Sequence, residues 1–193
     1  MSEETRQRII EAGAELVHRQ GFNNTGLKDI LKASGVPKGS FYFYFANKEA
    51  FGIELIEHYG AGFRALVQPV MQNPDLSPLA RLRAVFDIAH AAFAAQGYER
   101  GCPIGNLAQE MGDLSEPFRT RLGEALDRMT GFFAALLAQA REAGEIPADL
   151  DAEEAAVFLV SAWHGAIIRM KITKDGTPLR TFMIQTFDRF LQP

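Results

Sequence analysis

The chain is poor in residues that staple, coordinate or anchor. Cys102 is its single cysteine in 193 residues, so neither an internal disulfide nor a Cys-cluster zinc site can form. Long apolar runs are missing too: stretches such as Phe132–Ala138 fall well short of the ~18 residues of a membrane span. The first residues (Ser2, Glu3, Glu4, Thr5, Arg6) carry no apolar stretch of the signal-peptide kind. These absences lead to the expectation of a soluble cytoplasmic protein with no membrane partner. Low complexity is absent as well, since 47% hydrophobic and 23% charged residues make an ordinary globular balance for one or two domains.

Local signs of catalysis are also lacking. There is no Gly-x-Ser-x-Gly elbow, no phosphate-cradling glycine loop and no dinucleotide fingerprint, so no cofactor is expected. The four histidines (His18, His58, His90, His164) are scattered, and none forms an i, i+4 pair with a carboxylate companion, so no metal is expected. An enzyme would have to gather its groups by folding alone.

Helical periodicity fills the chain, and no stretch alternates long enough to insist on a strand. The spacing predicts helices over about 4–18, 25–34, 37–45, 47–71, 79–95, 103–112, 115–144, 151–173 and from 177 onward. Thr25, Asn47 and Asp151 are candidate N-caps, and Gly21 and Gly35 candidate stops. Pro37, Pro103, Pro117 and Pro178 fall in expected first turns, and Pro69 or Pro74 is expected to break the fourth helix. The fold class is therefore all-α with about nine helices. We divide it at Asn47 into an N-terminal three-helix head, residues 1–46, and a helical body, residues 47–193.

The net charge of −4 disfavours a nucleic-acid partner only on average. Residues 1–50 hold seven basic against six acidic side chains, and the rest thirteen against eighteen. The second and third helices, joined at Ser34-Gly35-Val36, form the helix-turn-helix pattern that sets a short helix into a DNA groove. On the third helix Phe41 and Phe45 lie about 40° apart and face the core. That leaves Gly39 and Phe43 outward, flanked by Ser40 and Tyr42. Lys38, Tyr42, Tyr44 and Lys48 supply donors suited to phosphate.

The run Thr25-Gly-Leu-Lys-Asp-Ile-Leu-Lys-Ala-Ser-Gly-Val-Pro-Lys-Gly-Ser-Phe-Tyr-Phe-Tyr-Phe-Ala-Asn-Lys-Glu49, preceded by Gly21-Phe22, resembles the DNA-binding signature of the TetR family of transcriptional repressors. The resemblance implies a homodimer that binds a palindromic double-stranded DNA operator, with a body that senses an inducer. By position it implies that Lys38, Gly39 and Ser40 approach base edges. Tyr42, Tyr44 and Lys48 would hold phosphates, and Thr25 would touch the backbone. Phe43 departs from the resemblance, since the family usually has a polar or basic residue there. It cannot donate a hydrogen bond, so a thymine methyl or a sugar is its expected contact.

In the body, the eighth and ninth helices are apolar over more than one face, which fits either a helix buried within one chain or a four-helix dimer interface, the reading we favour. Phe86, His90, Phe93, Met129, Phe133, Trp163, His164 and Met170 form a candidate ligand pocket, although such spacing also describes plain core. Cys102 precedes a proline that starts a helix, where unpaired N–H groups and the helix dipole favour a thiolate. A small buried side chain is the plainer alternative.

Gly101-Cys102, Asp113-Leu114-Ser115-Glu116, Phe51-Gly52 and Met170-Lys171-Ile172 resemble the electrophile- and oxidant-sensing subgroup of the same family. This implies modification of Cys102 as the inducing event, with Lys171 as an ammonium that stabilises the thiolate. Lys171 equally fits a solvated helix-end charge. The readings that stay open are thiol sensing, reversible non-covalent ligand binding with a structural Cys102, and, from other classes, a helical enzyme or an adaptor.

Overall fold

A computed structural model of the chain describes residues 2–193. Nine α-helices make up the described residues, without a strand: α1 (Glu3–Gln20), α2 (Leu27–Ser34), α3 (Lys38–Tyr44), α4 (Lys48–Met71), α5 (Pro78–Ala95), α6 (Pro103–Met111), α7 (Glu116–Glu142), α8 (Ala152–Thr173) and α9 (Thr177–Gln185). A π-helical turn, Thr186–Phe190, prolongs α9, closed by the Leu191 amide donating to the Thr186 carbonyl at 2.9 Å.

Most boundaries follow local chemistry. Gly21 ends α1 at φ +87 and Gly35 ends α2 at φ +67, backbone angles that a Cβ disfavours. The Asn47 side chain accepts from the Ala50 amide, and Asp151 from those of Glu153 and Glu154, which satisfies first-turn N–H groups. One expectation needs correction: Gly26, not Thr25, caps α2, and the Asp29 carboxylate accepts from its amide at 3.2 Å. The fourth helix ends at Met71, as expected, with Pro69 inside it and Pro74 beyond; a proline costs one internal bond, tolerable in a last turn.

The chain forms two compact units. One runs to Gly62 and takes in Pro103–Ala125; the other comprises Phe63–Cys102 and Leu126–Pro193. In the first, Ile9, Ile10, Val17, Ile30, Phe41, Phe51 and Leu55 are buried, and the Tyr59 hydroxyl donates to the Ala14 carbonyl at 2.7 Å. Glycines admit its aromatic rings: a Cβ on Gly13 would lie 2.2 Å from Phe51, and one on Gly52 2.4 Å from Phe22 and 2.5 Å from Phe118.

The second unit is built on the buried face of α8, where Ala155, Ala156, Leu159, Trp163, Ile167 and Met170 meet Phe86, Phe133 and Phe182. With a mean hydropathy of 1.3 over 18 residues, α8 is long and apolar enough, by length and composition, to cross a membrane. No single run revealed this, because Ser161, His164 and Arg169 interrupt it. Here that apolarity serves the core of the second unit.

Gly52→Val should lower stability by about 1–3 kcal/mol through overpacking against Phe22 and Phe118. Gly62→Ala, with open space at its Cβ, should raise it by about 0.5–1 kcal/mol. Thermal unfolding of both variants checks the contrast.

Candidate nucleic-acid interface and effector region

What α3 offers outward follows from what it buries. Phe41 on α3 and Phe45, the extended residue just past its end rather than part of the helix, are buried, their ring centroids 5.2 Å apart and 5.5 and 5.1 Å from that of Phe51. With that side fixed, the 100° helical step turns Gly39, Tyr42 and Phe43 outward. Phe43 is 61% exposed and Tyr42 half exposed. Lys38 is exposed with Nζ 5.9 Å from the Tyr42 ring centroid, and Ser40 is half-buried beside them. A Cβ on Gly39 would meet nothing within 4 Å, so the backbone itself is approachable there. Behind this face, Arg8 of α1 donates to the Ser34 carbonyl at 2.7 Å and braces the α2–α3 turn.

The other candidate contacts are already engaged. Tyr44 donates its hydroxyl proton to the Ser2 carbonyl at 2.7 Å. Lys48 donates to the Phe22 carbonyl at 2.7 Å and stands 4.4 Å over the Phe22 ring. Burial lowers the Lys48 pKa, and the Glu110 carboxylate opposes that shift. Thr25 is a correction: it is fully buried, its hydroxyl donating to the Gly21 carbonyl at 2.6 Å and its amide to that of Phe22 at 3.2 Å. The α1–α2 turn folds back over it, which withdraws its side chain from any phosphate.

Around Cys102 the backbone is unusual. Gly97, Tyr98, Arg100 and Gly101 all have φ between +60 and +74. Gly101 is buried, and a Cβ there would lie 2.8 Å from Cδ of Lys171 and 3.0 Å from Cγ2 of Ile167. The structure thus lays the Lys171 stem on the residue preceding Cys102. Cys102 is half-buried against the core of its unit.

The candidate pocket residues divide into two groups. Phe86, Phe133, Trp163 and Met170 are buried core. Phe86 stacks on Phe133 at 5.0 Å and meets Trp163 edge-on at 5.0 Å, a close-packed arrangement. His90, Phe93, Met129 and His164 are half-buried. Burial lowers the His164 pKa against a raising hydrogen bond to Val160, and its Nε2 is buried without a hydrogen-bond partner.

Most of the apolar residues on α8 and α9 serve the chain's own core. A different set stays exposed: Val157, Phe158, Ile168, Ile172, Ile184 and Phe190, with Ile172 80% exposed. Between α8 and α9 lies an open groove of about 930 Å³, lined by Phe158, Ala162, Ala166, Arg169, Phe182 and Phe190 among others. Sequence reasoning missed Glu110, whose carboxylate holds the Phe22 and Asn23 amides; no local motif announces a contact across 87 residues.

Comparison with known proteins gives a consistent result. Residues 9–55 match the profile of bacterial regulatory proteins of the tetR family, and residues 78–186 the tetracyclin repressor-like C-terminal domain. The transcriptional regulator AcuR of Cereibacter sphaeroides is 42% identical, over 95% of this chain and 83% of AcuR. The HTH-type transcriptional repressor NemR of Escherichia coli is 33% identical over 91% of this chain and 88% of NemR. The crystal structure of its reduced form has a TM-score of 0.86 at 28% identity, covering 98% of this chain and 99% of that one. A crystal structure of a regulatory protein TetR from Rhodobacter sphaeroides has a TM-score of 0.88 at 41% identity, covering 96% of this chain and 97% of that one. These relatives are transcriptional regulators, not enzymes.

Lys48→Ala is expected to weaken binding to all duplexes alike and to reduce the slope of log K against log salt by about one. A salt titration checks this; an unchanged slope assigns the ammonium wholly to the Phe22 carbonyl.

Proposed function

The chain belongs to the TetR family and is a DNA-binding transcriptional regulator; from that premise we propose that it is a cytoplasmic homodimeric repressor of a palindromic operator. In this reading residues 1–46 are the DNA-binding head and residues 47–193 the sensing and dimerisation body. A small-molecule or electrophilic inducer acting on the body releases the operator.

The observation that carries the reading is the outward face of α3. Lys38, Gly39 and Ser40 approach base edges, and Phe43 packs on a thymine methyl or a sugar. Phosphates fall to Tyr42, Tyr44 and Lys48. Lys48 keeps two N–H donors beyond the one given to Phe22, whereas Tyr44 must release the Ser2 carbonyl to donate.

The exposed apolar residues of α8 and α9 support a second copy as their partner, since two such helix pairs form a four-helix bundle about a two-fold axis. Gly165, with open space at its Cβ, suits close approach of backbones. The dimer would hold its recognition helices roughly 34–36 Å apart, one turn of B-DNA. Ile172→Asp should then give a monomer by sedimentation and abolish half-site cooperation; a variant that stays dimeric removes this face from the interface.

For induction, the position of Cys102 just before α6 supports a reactive thiolate, and the Lys171 stem over Gly101 supports a nearby ammonium. Modification favours a second packing of the body and, through α4, which runs on from the head, a head spacing unsuited to the operator. The inducer must favour that second state; equal affinity for both would shift nothing. A non-covalent reading is supported by His164, whose buried Nε2 is available to a ligand's hydrogen bond.

An operator-shift assay on duplexes taken from beside the gene separates the readings. Wild type and Cys102→Ser should both bind. Aldehydes or quinones should release wild type alone. Release of both variants favours the non-covalent pocket, and no binding by either ends the repressor reading.

A further inference from the structure

The turn between α1 and α2 is gripped by groups outside the helix-turn-helix. Glu110, in the last turn of α6, accepts from the Phe22 amide through Oε2 at 2.8 Å and from the Asn23 amide through Oε1 at 2.7 Å. A carboxylate on two successive backbone N–H groups makes a charge-assisted pair of fixed orientation. Gly21 fits beneath it, since a Cβ there would lie 3.1 Å from Oε2. From the other side Lys48 donates to the Phe22 carbonyl at 2.7 Å, so both ends of the turn's first residue are tied. The Phe22 ring meets Phe118 of α7 edge-on at 4.9 Å, and the Asn23 side-chain amide reaches Sδ of Met111 at 3.6 Å.

Nine residues of α6 span about 13 Å at 1.5 Å per residue. Its first residue, Pro103, follows Cys102 in the chain, and its last turn carries Glu110. So short a helix transmits a shift at one end to the other, because its internal hydrogen bonds must break before it bends.

We propose that Glu110 is the positioning residue that couples α6 to the DNA-binding head, its two-pronged hold on Phe22 and Asn23 keeping the α1–α2 turn, and with it α2 and α3, in the operator-binding arrangement. The proposal rests on the repressor reading above and adds a route to it: the signal enters the head through the α1–α2 turn, beside the continuity of α4.

The test uses the full-length protein, N-ethylmaleimide as the probe, and three variants: Glu110→Ala, Glu110→Gln and Glu110→Asp. Operator affinity, thermal midpoint and amide exchange at Phe22 and Asn23 are measured before and after alkylation. Alkylated wild type is expected to lose at least tenfold in affinity together with the protection of those two amides. Glu110→Ala is expected to show the same two losses without alkylation and at most a twofold further change on treatment. Glu110→Gln, with one acceptor oxygen, should fall between. Glu110→Asp should recover part of the affinity, which general destabilisation does not predict.

The proposal is overturned if Glu110→Ala keeps both the affinity and the alkylation response of wild type. It is equally overturned if alkylation releases the operator while both amides stay protected, a readout on wild type that does not depend on any variant folding. Should wild type fail to bind the duplex, the repressor reading fails by itself. Amide exchange then still decides the coupling, with lost protection on alkylation supporting it and retained protection overturning it.

Discussion

The packing of Phe41 and Phe45 on Phe51 is the constraint on which the rest of the head depends. A helix of seven residues has little orientation of its own, and two turns form no stable structure in isolation. Two phenyl rings sunk into one core fix its rotation and thereby choose which residues face solvent. Tyr42 and Phe43 are exposed because their neighbours are not, although an exposed phenylalanine gains nothing from water. Gly13 belongs to the same constraint, since α1 comes close enough to complete the core only where it has no side chain.

Much of this was legible in the sequence because much of it is local. Gly35 at a left-handed turn, Asn47 and Asp151 at helix starts, and Pro103 and Pro178 in first turns are decided by residues within a few positions of each other. The misreading of Thr25 is instructive: its hydroxyl suits a cap, but the fold turns it inward to the Gly21 carbonyl and leaves the cap to glycine. Lys48 and Tyr44 read as loose surface donors, yet each has a carbonyl partner supplied by a distant segment. Pocket and core were indistinguishable by spacing, because aromatic residues every three or four positions describe both. Only three-dimensional packing separates Phe86, stacked on Phe133, from His164, whose Nε2 is buried and unpaired.

A similar division runs along α8. One of its faces is consumed by the second unit's own core, while Val157, Phe158, Ile168 and Ile172 remain in solvent. An exposed apolar patch of this kind marks an interaction surface more often than chance decoration. Apolarity over more than one face of α8 and α9 is visible in the sequence, but which residues face the core is not, because a helix with two apolar faces has no periodic signal to tell inside from outside.

The membership of the first compact unit bears on protein engineering. Residues 103–125 fold with the segment up to Gly62, so Glu110 and Phe118 have their partners at Phe22 and Asn23. A chimera that exchanged only the first 46 residues for those of another regulator would leave that carboxylate and that ring facing an unmatched surface. Grafting the DNA-binding segment of another regulator onto this scaffold therefore calls for two crossovers, with residues 103–125 travelling alongside α1–α3.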